Sequence, residues 1–92
     1  MPSILRVGRY VIFFWSNEND EPVHVHIAVK RPHANATKVW LTEGRGVILA
    51  NNDDDIPQKD LNLLLEIIQA QFDDIVDAWK KFFLTDIVCF YC

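Results

Sequence analysis

The chain has 92 residues, 50% of them hydrophobic and 12% aromatic, with a formal net charge of −4. That length allows one domain, residues 1–92, and its apolar and aromatic content excludes a disordered chain. The acidic balance excludes a general nucleic-acid binder, which needs a basic face, and fits a protein that binds a basic surface on a partner.

Residues 3–16 read as strand, dense in β-branched and aromatic side chains. Gly8 marks a bulge or turn that splits this stretch into two short strands. From Tyr10 to Trp15 both faces are apolar, so this part is central in the sheet or covered on both sides. The run is too short to cross a bilayer. Asn17-Glu18-Asn19-Asp20-Glu21-Pro22 reads as a turn on composition. In the strand that follows, residues 23–30, alternation puts Val23, Val25 and Ile27 on one face and His24 and His26 on the other. Pro32 breaks the ladder in a second turn. Residues 37–41 make a third strand, with Val39 and Leu41 on one face and Lys38 and Trp40 on the other. After the turn Glu43-Gly44-Arg45-Gly46, Val47-Ile48-Leu49 makes a fourth, short strand. Such short connections suit antiparallel hairpins rather than crossovers.

Asn51-Asn52-Asp53-Asp54-Asp55 ends the sheet. Asp55 or a neighbour is the expected N-cap of the next helix, with Pro57 in its first turn. Leu61, Leu65, Ile68, Phe72, Ile75, Trp79 and Phe82 recur at steps of three and four, and Leu64, Ile67, Val76 and Phe83 widen the stripe. One continuous helix over residues 56–84 is the first expectation. A break near residues 69–73 is the alternative, although no Gly or Pro marks it. An unbroken helix would be about 40 Å long, longer than a small sheet needs, and the surplus suggests a homodimer. The tail, residues 85–92, is apolar and β-prone, suited to an edge strand or to folding back onto the domain. The fold class is therefore α+β: an antiparallel sheet of three to four strands over residues 1–50, packed against one long C-terminal helix.

Two residue sets could carry a site. His24 and His26 share a strand face roughly 6–7 Å apart, and Cys89 and Cys92 have the spacer of half a zinc site. Two His and two Cys would close a tetrahedral shell around one structural Zn, with no position left for substrate. The second set is acidic: Asp53, Asp54 and Asp55 before the helix, and Asp73, Asp74 and Asp77 on it. These serve as helix-end charges and a solvated face, or as a surface that competes with nucleic acid for a basic groove on a protein. Trp40 is a candidate interface anchor. A general base at His24 or His26, oriented by Glu18, Asp20 or Glu21, is a further option, with Arg6, Arg9, Lys38 and Arg45 available for phosphate. No nucleophile elbow, glycine-rich phosphate loop or paired-carboxylate helix motif accompanies it.

The runs Pro2-Ser3-Ile4-Leu5-Arg6, Phe13-Phe14-Trp15-Ser16-Asn17-Glu18, Pro22-Val23-His24-Val25-His26-Ile27, Lys38-Val39-Trp40 and Ala78-Trp79-Lys80-Lys81-Phe82-Phe83 occur in this order. Together they resemble the 4160 family of bacterial domains of unknown function, whose signature is Pro-His-Val-His-Val. Here a single Pro22 stands where that family usually has two prolines, and the tail after Phe83 lies outside the likeness. The resemblance implies a small bacterial or phage protein of toxin–antitoxin or other mobile-element modules. It brings no catalytic residues.

The expectation is a non-enzymatic interaction module of a bacterial defence or counter-defence system, an antitoxin or anti-CRISPR-like inhibitor. It would bind a protein partner, perhaps one that handles nucleic acid, with any zinc serving structure. The competing class is a toxin-like hydrolase or ribonuclease using His24 and His26. Met1 to Arg6 lacks the apolar core of a signal peptide, so a cytoplasmic location is expected.

Overall fold

The computed structural model describes residues 3–15, 21–85 and 88–91. Strands β1 (Ser3–Val7), β2 (Tyr10–Phe13), β3 (His24–Val29), β4 (Thr37–Leu41) and β5 (Val47–Asn51) are followed by helices α1 (Gln58–Ala70) and α2 (Phe72–Phe83). The strands form one antiparallel sheet in sequence order, β1-β2-β3-β4-β5. The architecture is α+β, with five strands rather than three or four. Both halves of residues 3–16 pair as separate strands, and the short fourth strand expected at Val47 is the fifth.

Gly8 is where the first stretch divides. Val7 faces Tyr10 across a two-residue loop, and Gly8 sits at φ +57 in its first position. A positive φ there matches the turn to the twist of the flanking strands. A Cβ at Gly8 would meet nothing within 4 Å, so backbone angle rather than space selects glycine.

The main core lies between one face of the sheet and the helices. Tyr10, Ile12, Phe14, Val23, Val25, Ile27, Val39 and Leu41 pack with Leu61, Leu64, Ile68, Phe72, Ile75 and Trp79. The period-2 and period-3.6 patterns thus meet on one buried layer. β2 is apolar on both faces because its other side joins a second cluster, Val11, Phe13, Ala28 and Ala36, with Trp15 packed beside it.

The expected single helix is two helices, interrupted at Gln71 (φ −98, ψ 17). The Gln71 N–H still reaches the Ile67 carbonyl and the Gln71 carbonyl still accepts from Ile75 N–H, at 3.0 and 2.9 Å. The break is therefore one residue's backbone, not a loop. An unbroken helix over this span would measure about 40 Å, whereas the longest dimension of the domain is 34 Å. The interruption keeps both halves of the stripe on the sheet. The surplus length that suggested a homodimer is absent.

Asp55 is not the N-cap. Pro57 occupies that position without a side-chain cap bond, and Asp55 has φ 53. Asn52 organises the entry instead. Its Oδ1 accepts from Ile56 N–H at 3.0 Å and from Thr37 Oγ1 at 2.8 Å, and its Nδ2 donates to the Ile56 carbonyl at 3.0 Å. At the far end, Leu84 takes the left-handed conformation that closes α2.

The described part of the tail is docked without forming a strand. Val23 N–H donates to the Cys89 carbonyl at 2.8 Å, and Tyr91 N–H donates to the Leu41 carbonyl at 3.0 Å. The tail thus crosses the start of β3 and the end of β4.

Candidate functional site

His24 and His26 project from β3 with ring centroids 5.0 Å apart and planes nearly perpendicular. Both are buried, at 0% and 6% exposure, which decides what can reach them. Alternation places them opposite the core valines, as the sequence implied. His26 stacks on Phe13, its partner across the β2–β3 ladder, at 5.5 Å. His24 lies past the last β2 partner. There the indole of Trp79 comes within 5.4 Å, and the indole of Trp40, the β4 partner of His24, lies at 5.4 Å as well.

His24 Nδ1 stands 2.8 Å from the Pro22 carbonyl. A carbonyl only accepts, so Nδ1 carries a proton here. Pro22 thus orients the ring of the residue two positions on.

Of the four expected zinc ligands, the structure brings the two histidines together. It also places the Cys89 main chain against Val23, next to His24. Cys92 lies outside the described residues, as do Glu18 and Asp20. Among the described residues no group of three or more His, Cys, Asp or Glu could hold a metal ion.

Trp40 is half-buried rather than a free anchor. Its ring stacks on Tyr91 at 4.8 Å, and Lys38 Nζ sits 4.1 Å from its centroid. The same ammonium pairs with Glu21 Oε1 at 2.7 Å. A cation over an indole and beside a carboxylate fixes the side chain from two directions.

The acidic residues divide into internal and external groups. Asp54 turns inward: its carboxylate accepts from Val29 N–H at 2.9 Å and from His33 Nε2 at 3.0 Å. Asp53 and Asp55 are exposed. Asp73 is bridged by Nη1 and Nη2 of Arg45, at 2.6 and 2.9 Å. The Arg45 hydrogen bond, with the guanidinium charge adding to it, holds the Asp73 carboxyl below its ordinary value, and the same bond raises Arg45. Asp74 and Asp77 are exposed three positions apart on α2, which puts them on one side of the helix. Asp74 lines a cavity of about 340 Å³ between α2 and β1, with Ile4, Leu5, Ile75 and Ala78.

A polar cluster at the other end joins residues 50 positions apart: Tyr10 OH donates to Asp60 Oδ2 at 2.6 Å. Arg9 Nη2 donates to the same hydroxyl at 3.4 Å, a bond that raises the Arg9 pKa, with the charge of Asp60 contributing further. A cavity of about 250 Å³ opens beside it toward Leu63 and Leu64. No local pattern pointed to this cluster, because its members meet only through the packing of β2 on α1.

No helix among the described residues is long and apolar enough to cross a membrane. No curated protein and no solved structure gives a significant match to the chain. The family model described as Domain of unknown function (DUF4160) matches residues 10–80. That span runs from the start of β2 into the last turns of α2, takes in both histidines, Trp40 and Trp79, and leaves out β1 and the docked tail. The chain belongs to the DUF4160 family of domains of unknown function.

Proposed function

We propose that this protein is a small non-enzymatic interaction module of a bacterial defence or counter-defence system, an antitoxin or anti-CRISPR-like inhibitor that binds a protein partner. The observation that carries the reading is the cavity between β1 and α2. Its floor is Ile4, Leu5, Ile75 and Ala78, Asp74 lines it, and Asp77 follows one turn along the helix. Apolar side chains mixed with Gln71 and the exposed carboxylates of Asp74 and Asp77 suit a partner segment that offers an apolar side chain next to Lys or Arg, as a nucleic-acid-handling protein does.

Burial of the histidines supports the same reading over a hydrolase. A general base must touch its substrate, and His24, walled by Trp40 and Trp79, has no exposed surface to do so. The Pro22-Val23-His24-Val25-His26-Ile27 run, similar to the family's Pro-His-Val-His-Val signature, then serves the fold, and the link to mobile elements is part of this proposal. A structural zinc on His24 and His26 with Cys89 and Cys92 enters only as an aid to stability, which elemental analysis of protein purified without added zinc decides.

The test pairs affinity capture with a turnover assay. Wild-type protein should retain a partner that the exposed double variant Asp74→Lys/Asp77→Lys loses, and should leave RNA intact. RNA cleavage that vanishes in a folded His24→Asn/His26→Asn variant would overturn the proposal in favour of the hydrolase.

A further inference from the structure

The cavity between the β1–β2 turn and α1 has a polar rim built around one hydroxyl. Tyr10 OH donates to Asp60 Oδ2 at 2.6 Å and accepts from Arg9 Nη2 at 3.4 Å. Neither charge is used up there. A guanidinium has further donors and a carboxylate a second oxygen, and among the described residues neither side chain has another hydrogen-bond partner. The 3.4 Å contact is also long for a bond made by an ion, ordinarily about 2.7–2.9 Å. Arg9 and Asp60 are thus two opposed charges, one hydroxyl apart, and they are the only charged residues that line the cavity.

The walls are apolar. Asp60, Leu63 and Leu64 stand at positions i, i+3 and i+4, so one side of α1 carries all of them. Leu64 is buried, while Leu63 is 53% exposed beside the opening. Val7 lines the strand side, and Gly8 has no side chain to close the entrance. The volume of about 250 Å³ is below the roughly 300–1,000 Å³ of pockets that take drug-sized molecules, so the occupant is small.

We infer that this cavity binds a small zwitterion, a free apolar α-amino acid of leucine's size. Its carboxylate meets Arg9, its ammonium meets Asp60, and its aliphatic side chain packs on Val7, Leu63 and Leu64. Charge selects this class. A lone carboxylate drawn to Arg9 is repelled by Asp60 across the hydroxyl, and a lone ammonium drawn to Asp60 is repelled by Arg9. A neutral amide escapes the repulsion but forgoes the attraction that two full charges gain at hydrogen-bond distance. An α-amino acid carries both charges on one carbon, with an apolar group beside them. The inference does not rest on the proposed function, whose groove lies between β1 and α2.

The test is a titration of the isotope-labelled full chain, read by nuclear magnetic resonance. Leucine should move the backbone amide signals of Gly8, Arg9, Leu63 and Leu64 and leave those of β4 and α2 in place. N-acetyl-leucine lacks the ammonium, leucinamide lacks the carboxylate, and isovaleramide lacks both charges but keeps the apolar end. Each should bind at least about tenfold more weakly than leucine, the worth of one charge-assisted bond. Arg9→Gln removes an exposed charge, so it should bring leucine down to the level of leucinamide without weakening leucinamide itself. A merely structural role for Arg9 would weaken both ligands alike. If Arg9→Gln fails to fold, the ligand series on the wild-type chain decides alone. No shift at the highest soluble leucine concentration, shifts confined to other parts of the chain, any of the three analogues binding as tightly as leucine, or equal loss of leucine and leucinamide in a folded Arg9→Gln chain would each overturn the proposal.

Discussion

The rings of Trp40 and Tyr91 lie parallel, with centroids 4.8 Å apart and 9° between their planes. One belongs to β4 and the other to the tail, and the contact joins Tyr91 N–H bonding to Leu41 and Phe90 stacking on Phe72 at 5.8 Å. Residues 89–91 are thus part of the packed domain. Tyr91→Ala should lower stability by about 1 kcal/mol, the worth of a half-exposed aromatic pair. Denaturant unfolding followed by Trp fluorescence measures it, and an unchanged midpoint would show that the stack adds nothing.

His24 is fully buried among three other rings. Replacing it by Ala empties a site walled by Trp40, Trp79 and His26 and strands the Pro22 carbonyl. The expected loss is about 2–3 kcal/mol, seen as a lower melting temperature with a shift in the fluorescence of the flanking indoles. A His24→Ala protein as stable as wild type would contradict the packing.

Asn52 ties the end of the sheet to the start of α1 through three hydrogen bonds, to Thr37 and to both backbone groups of Ile56. Asn52→Ala should cost about 2 kcal/mol, whereas Asp55→Ala should cost less, because Asp55 caps nothing. Comparing the two unfolding midpoints tests which residue organises this entry.

The Arg45–Asp73 bridge yields a signed pH effect. The Asp73 carboxyl is held below its ordinary value by the Arg45 hydrogen bond. Its contribution is present above the ordinary carboxylate range and is lost as pH falls through the lowered value, because the unfolded chain then binds the proton more readily. Asp73→Asn should be slightly less stable than wild type at neutral pH in low salt. The difference should close in acid and also in high salt, since both groups are exposed and screened. Thermal melts across pH and ionic strength measure it.

Much of the fold was legible in the chain because it rests on local periodicity. The alternation of Val23, Val25 and Ile27 against His24 and His26, the bounds of β4, the division at Gly8 and the stripe from Leu61 to Trp79 each report which face is buried. A burial pattern needs no knowledge of what covers it. The break at Gln71 falls within the alternative at residues 69–73, but periodicity favours one helix because Ile68, Phe72 and Ile75 carry the stripe straight across it, and one residue's backbone angle leaves no mark on side-chain spacing.

Contacts between distant segments belonged to the tertiary structure alone. Tyr10 meets Asp60 across 50 positions, Trp79 reaches His24 where β2 stops, and Arg45 bridges to Asp73 rather than toward a phosphate. The acidic residues look alike in sequence, yet Asp54 is spent on Val29 and His33 while Asp74 faces a groove. Which carboxylate is consumed inside the domain and which stays exposed depends on where the strands and helices come to rest on one another. That is a matter of distances through space, which neither composition nor spacing along the chain encodes.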